Sequence, residues 1–346
     1  EMSEGAESGP LLGVIEDHFR TDGIQTISIE DMLTHIRSLR AVAGNAEVRG
    51  ISAANLDKLD KSICQKIYSI VDKELPNTNT PYHYIAAWVD SVRRESPIEV
   101  FTTNYDLLME QAFEDNKVPY YDGFTGVRRP FFDLRAMEED MLPPRWARLW
   151  KIHGSINWYQ VDGKGVFRGT SEEEQGSKRV IHPSHLKYQE SRRLPYLAMM
   201  DRLRAFFKHP TATLITCGYS YRDEHINEII IQGLEYTQTA VVFALLYGDL
   251  EMYPNAIALA LQNSNLNLLA GNGAVIGGQK VIWQEREAEE ETGESDDWLS
   301  WETIPSDSQP NKQRATLLLG DFAVFGKFIR ELTGCQNRFR EPENVK

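Results

Sequence analysis

Apolar side chains recur along this chain with a helical period first and a strand period later. Leu56, Leu59, Ile63, Ile67 and Ile70 lie three, four, four and three residues apart, which puts them on one stripe of a helix. Residues 31–41 and 82–92 carry shorter stripes of the same kind, and Pro81 suits the first turn of the second, with Thr80 as its cap. These patterns predict a helical module over about 10–96. Pro97 then breaks the chain before Ile98-Glu99-Val100-Phe101-Thr102, a strand-like run followed by a helix over 106–113. Val118-Pro119-Tyr120-Tyr121 reads as a short extended piece, 124–145 as loop-rich, and Leu149-Trp150-Lys151-Ile152-His153 as the next strand. A mixed insertion with short strands over about 155–212 ends in a helix from Leu197 to Phe207.

The last third alternates strand and helix. Residues 214–217 read as a strand, and Asp223 caps a helix that carries Ile226, Ile229, Ile230 and Leu234 on one face. The unbroken apolar run 240–246 has the look of a strand buried on both faces. A helix over 254–261 and the strand Leu266-Asn267-Leu268-Leu269 come next. This order predicts an α/β fold with a doubly wound, mainly parallel sheet and an inserted helical module, as one domain over 1–346. Gly271-Asn272-Gly273 reads as a turn, and the acidic stretch within 285–312 as a solvated loop.

The composition narrows the chemistry. The chain has 346 residues and a formal net charge of −14, with no basic stripe, so direct binding to a phosphate backbone is not expected. No apolar run approaches the roughly 20 residues of a membrane span. Cys64, Cys217 and Cys335 are dispersed and odd in number, which supports neither a disulfide framework nor a cysteine zinc site. A reducing, cytoplasmic setting is the expectation.

Three strand ends carry the candidate chemistry. Thr102-Thr103-Asn104-Tyr105-Asp106 places two polar side chains two residues apart at a strand end, where a parallel sheet presents ligand-binding groups. Either acid-amide residue is also a natural helix cap. His153-Gly154 comes directly after the next strand; imidazole is the commonest general base, and glycine permits close approach. Asn157 and Trp158 lie downstream, with Trp158 expected as a pocket wall. Cys217-Gly218-Tyr219-Ser220 occupies a strand-to-helix turn of the kind that binds anions.

Taken together and in this order, the three motifs resemble the nicotinamide-dinucleotide site of the sirtuin superfamily, in its sirtuin-like bacterial form. The resemblance covers about 29–269 and matches the Thr-x-Asn-x-Asp pattern from Thr102 onward. It implies NAD as substrate, with Asn104 orienting ribose or water, Asp106 contacting the nicotinamide carboxamide, and His153 acting on ribose hydroxyls. Thr102, Thr103, Gly154, Gly218 and Ser220 would bind the dinucleotide.

Two departures bear on function. Sirtuins open with a strand and a Gly-Ala-Gly-x-Ser loop; here Gly5-Ala6-Glu7-Ser8-Gly9 is preceded by no strand and lacks the middle glycine. The chain is therefore expected to lack its true start, although loss of dinucleotide binding stays open. The four-cysteine zinc module of protein deacylases is absent between His153 and Gly218, where Val180-Ile181-His182-Pro183 stands instead. The resemblance then points to an NAD glycohydrolase of antiphage defence, without zinc. It is most similar to the sirtuin-like subunit that assembles with a HerA-type ATPase, and a homo-oligomer is expected. An NAD-dependent deacylase and a non-catalytic NAD or ADP-ribose scaffold remain as alternatives. Trp298 and Trp301, read as exposed aromatics in a polar tail, are candidate contact surface.

Overall fold

In a computed structural model, residues 2–21, 29–91, 94–161, 164–169, 178–181, 195–287, 297–303 and 312–333 are described. Helix α1 (Met2–Thr21), α2 (Ile29–Ala43), the hairpin β1 (Glu47–Val48) and β2 (Ile51–Ser52), and α3 (Ala53–Val71) come first. They enclose a core of their own from Ile15, Leu33, Ile36, Ile51, Leu56, Leu59 and Ile63. The stripe on α3 sinks as expected up to Ile63, with Ile67 packed at the margin, but Ile70 is exposed. Ser52 caps α3 by accepting from the Asn55 amide at 3.3 Å. The Gly5–Gly9 string lies inside α1.

Helix α4 (Pro81–Ser91) joins a different core. It packs with β3 (Glu99–Thr102), α5 (Leu108–Asp115) and β4 (Tyr120–Tyr121) around Ala86, Val89, Ala112, Phe113 and Leu149. Two short strands, β5 (Phe124–Thr125) and β6 (Phe131–Phe132), and helix α6 (Leu134–Glu139) lead to β7 (Ala147–Lys151). β3 and β4 flank β7, and both run parallel to it. β8 (Gly154–Val161), β9 (Gly165–Arg168) and β10 (Lys178–Ile181) continue into an antiparallel sheet with β5 and β6. Trp158, expected to form a pocket wall, is instead fully buried in an aromatic core with Phe124, Trp150 and Tyr196.

The second half begins with α7 (Tyr196–Phe206), β11 (Thr213–Cys217), α8 (Glu224–Tyr236) and β12 (Val241–Leu245). It continues through α9 (Pro254–Gln262), β13 (Leu266–Leu269), β14 (Gly273–Ile276) and β15 (Gln279–Ile282). β11, β12 and β13 are parallel neighbours in that order, and β14 and β15 add antiparallel strands at one side. The fold is thus mixed α/β with two parallel strand groups. Ile226, Ile229, Ile230 and Leu234 of α8 bury against Val242, Ala244, Leu266 and Leu268. Each such side chain contributes about 1.5–3 kcal/mol by leaving water. β12 is not buried on both faces, contrary to what its unbroken apolar run predicts. Phe243 keeps 36% of its surface exposed, beside its register partner Ile215 at 45%.

Two ends of the chain return to this frame. The stretch expected as one acidic loop instead contributes β16 (Glu285–Glu287) and β17 (Leu299–Thr303), which flank β18 (Lys312–Leu317) in an antiparallel sheet. Leu299 and Trp301 alternate with polar neighbours, which is strand patterning that the acidic bias hid. Residues 288–296 and 304–311 lie outside the described residues. Helix α10 (Phe322–Thr333) packs on α4. Trp298 is half-buried against Phe328, with ring centroids 6.0 Å apart, and Trp301 is also half-buried, so neither is an exposed tail aromatic. No described helix is long and apolar enough to cross a membrane.

Candidate functional site

The site is built where β3, β7 and β11 end. Register pairs Thr102 with Lys151 at the last step of β3 and β7, and the Ile152 amide donates to the Thr102 carbonyl at 2.9 Å. Asn104 and His153 therefore each stand two residues past paired positions on adjacent parallel strands. The opposite end of these strands is held by ions. Arg202 bonds Glu99 at 3.2 Å and Asp140 at 3.1 Å, and Asp140 also takes the buried Arg148 at 2.8 Å.

The loop after β3 is shaped by its own side chains. The Asn104 amide donates to Thr102 Oγ1 at 3.1 Å, leaving the Asn104 side chain exposed. Asp106 Oδ1 accepts from the Leu108 amide at 3.1 Å in an Asx turn that leads into α5, whose N-cap position is Leu107 and not Asp106. Thr102 and Thr103 are half-buried beside it. Tyr82 of α4 faces this carboxylate: burial first, then Asp106, pushes its phenol up to about 12. The ring of Phe322 at the start of α10 meets Tyr82 edge to face, with centroids 4.9 Å apart and planes at 65°.

His153 sits in the turn between β7 and β8. Gly154 there has φ of 93°, a left-handed conformation that makes glycine the residue the turn requires. The His153 ring is nearly buried, and its Nε2 lies 3.3 Å from Asp223 Oδ2. The contact is an ion-pair approach without hydrogen-bond alignment, so Nε2 holds no well-formed bond. Asp223 caps α8 with its other oxygen, which accepts from His225 and Ile226 amides at 3.0 and 3.2 Å. Burial raises its pKa, but His153 and the two amides outweigh burial and hold the carboxyl below its ordinary value.

The turn after β11 adds Gly218 and Ser220, both exposed. Gly218 has φ of 74° and open space where a side chain would begin. The amides at the start of α8 already carry the Asp223 carboxylate, so what the turn leaves open is Gly218 and Ser220. Tyr219 is turned inward. Its hydroxyl donates to Asn227 Oδ1 at 2.7 Å, and its pKa is raised by burial and then by Asp223. Burial and Asp321 push the Cys217 thiol up to about 11, which makes it a poor nucleophile.

Asn104, Asp106 and His153 follow the adjacent ends of β3 and β7, and Asp223, at the start of α8, approaches His153. Asp223 was legible only as a cap, because its distance to His153 is fixed by packing between elements. Tyr82, two dozen residues upstream on a helix, carried no signal. Among the described residues no group of three His, Cys, Asp or Glu could hold a metal ion.

Residues 98–269 match the family model of the SIR2-like domain. The span runs from β3 to β13 and contains all three motif turns, so this part of the chain is similar to the SIR2-like domain. No curated protein matches the chain.

Proposed function

We infer that the chain cleaves NAD at the nicotinamide–ribose bond and releases nicotinamide and ADP-ribose. The observation that carries this is the placement of Asn104 and His153 past paired ends of β3 and β7, with Asp223 against His153, inside the SIR2-like span. Breaking that bond builds positive charge at the ribose C1′ carbon. An enzyme gains by holding the carboxamide and placing water on the opposite face. Asp106 would hold the carboxamide, Asn104 the water and ribose, and His153 would take a proton from a ribose hydroxyl or water. Asp223 would fix the imidazole and stabilise its charged form. Thr102, Thr103 and Gly154 would line the nicotinamide end, and Gly218 and Ser220 the dinucleotide backbone.

The finer reading adds a setting. The sheet groups would form one doubly wound, Rossmann-like domain. The chain would work in the cytoplasm as a homo-oligomeric antiphage effector that docks on a HerA-type ring ATPase. The resemblance to sirtuin-like defence proteins supports this, as does an acidic charge that leaves any nucleic-acid contact to a partner. Incubating the full chain with NAD and measuring free nicotinamide tests the core claim. Release in the absence of peptide is expected. Release only with an acetyl-lysine peptide would mark a deacylase, and NAD binding without turnover would mark a scaffold.

A further inference from the structure

Lys151 closes β7 with a side chain that is 1% exposed, an unusual place for an ammonium group. Its Nζ donates to Glu110 Oε1 of α5 at 2.8 Å and also to the main-chain carbonyl of Asp106. Glu110 is itself buried, and burial raises its carboxyl pKa against the pull of Lys151. The same loop is stitched at the neighbouring residue, where the Tyr105 carbonyl accepts from the Ile156 amide at 3.0 Å and from Ser155 Oγ at 3.4 Å. The segment bearing Asn104 and Asp106 is thereby tied to the two strands that flank His153, β7 through Lys151 and β8 through Ser155 and Ile156. Lys151 is the one charged side chain in that tie.

Stability alone does not account for the charges. Removing an ammonium and a carboxylate from water costs several kcal/mol per ion, and a well-packed apolar pair at such a place is often as stable or more so. A leucine or methionine would fill the space, but neither has a donor to offer Asp106. A charge-assisted bond is short and directional, and it reaches the backbone at Asp106, one of the two candidate groups of the loop. A displacement of 1 Å there would be felt as a large loss of rate.

We propose that the buried Lys151–Glu110 pair is a positioning device that sets the 103–107 loop against His153. This rests on the reading of Asn104 and His153 as the NAD-cleaving groups. The pair acts through the Asp106 carbonyl and touches no substrate.

The test uses the full chain with two double variants, K151M/E110L and K151M/E110Q, and the conservative K151R. Each double variant removes the ammonium without stranding a buried carboxylate. Melting temperature reports folding, hydrogen exchange reports the amides of 103–107, and nicotinamide release reports kcat and KM. The expected result is a folded double variant with faster exchange in 103–107 and unchanged exchange in β12. Its kcat should fall about 10- to 100-fold, a fall larger than any change in KM, while K151R recovers part of the loss. An unchanged loop, an unchanged kcat, or failure of both double variants to fold overturns the proposal. If the parent chain cleaves no NAD, the functional reading falls. The exchange measurement then still decides whether the pair holds the loop.

Discussion

His153 and Asp223 approach to 3.3 Å from two different strand groups, and this contact is where single atoms carry the most consequence. Replacing His153 or Asn104 with Ala is expected to leave the melting temperature near that of the parent and to abolish nicotinamide release. Removal of a positioned acid–base group costs roughly 10²–10⁴-fold. Parent-rate turnover in either variant would refute the site. Asp223 has two functions that different substitutions separate. Asn keeps a capping oxygen and loses the charge, so D223N should lower cleavage and cost less stability than D223A, which loses both. The sign of the pH effect is set by the depressed carboxyl of the folded state. Its stabilisation is complete above the unfolded aspartate value of about 3.9 and fades as pH falls through the lower folded value. The melting-temperature gap between parent and D223A should therefore be full at neutral pH and narrow in acid below about pH 4. A gap that widened in acid would show that the charge of Asp223 is a burden to the fold.

Between elements, α10 and α4 meet closely enough to leave no room for a side chain. A Cβ added at Gly326 would lie 2.7 Å from Pro81 Cα, a backbone atom that cannot swing aside. Glycine to alanine within a helix ordinarily stabilises by about 1 kcal/mol. Here the clash outweighs that gain, and overpacking of this kind costs about 1–3 kcal/mol. G326A is therefore expected to lower stability in chemical denaturation, and a rise would disprove the close approach. The same helix pair brings Phe322 edge-on to Tyr82, whose phenol is raised by burial and then by the Asp106 charge. G326A should consequently weaken NAD cleavage as well, through a wall of the site rather than through its acid–base groups. Gly326 lies outside the span 98–269 that matches the SIR2-like domain, so such an effect would come from the flanking chain.

At the scale of the whole molecule, dispersed cysteines and the lack of a three-ligand group among the described residues lead to a simple expectation. A chelator should change neither melting temperature nor NAD cleavage, and elemental analysis should find no stoichiometric zinc; a bound zinc would overturn this. Assembly is tested by light scattering together with the NADase assay on the isolated chain. An oligomer whose activity rises with its partner is expected, and a monomer with full unregulated activity would contradict it.

Much of this architecture is legible in the sequence, because it rests on periodicity and local chemistry. The α3 stripe, the cap at Asp223, Pro81 at the start of α4, and the strands β3, β7, β11, β12 and β13 each arise from neighbours in the chain. The three motif turns are legible for the same reason, since a strand end and the residues after it are contiguous. Other features depend on residues far apart in sequence. Composition alone points the wrong way for the burial of Trp158, the open flank at Ile215 and Phe243, and the β16–β18–β17 sheet within an acidic stretch. The approach of Asp223 to His153, the edge-to-face contact of Phe322 with Tyr82, and the hold of Lys151 on Glu110 and Asp106 join positions that no local period relates. Local propensity and patterning determine which segments are helix or strand and where polar groups can emerge. Only packing in three dimensions, where burial makes a charge or a cavity costly, decides which of those groups meet.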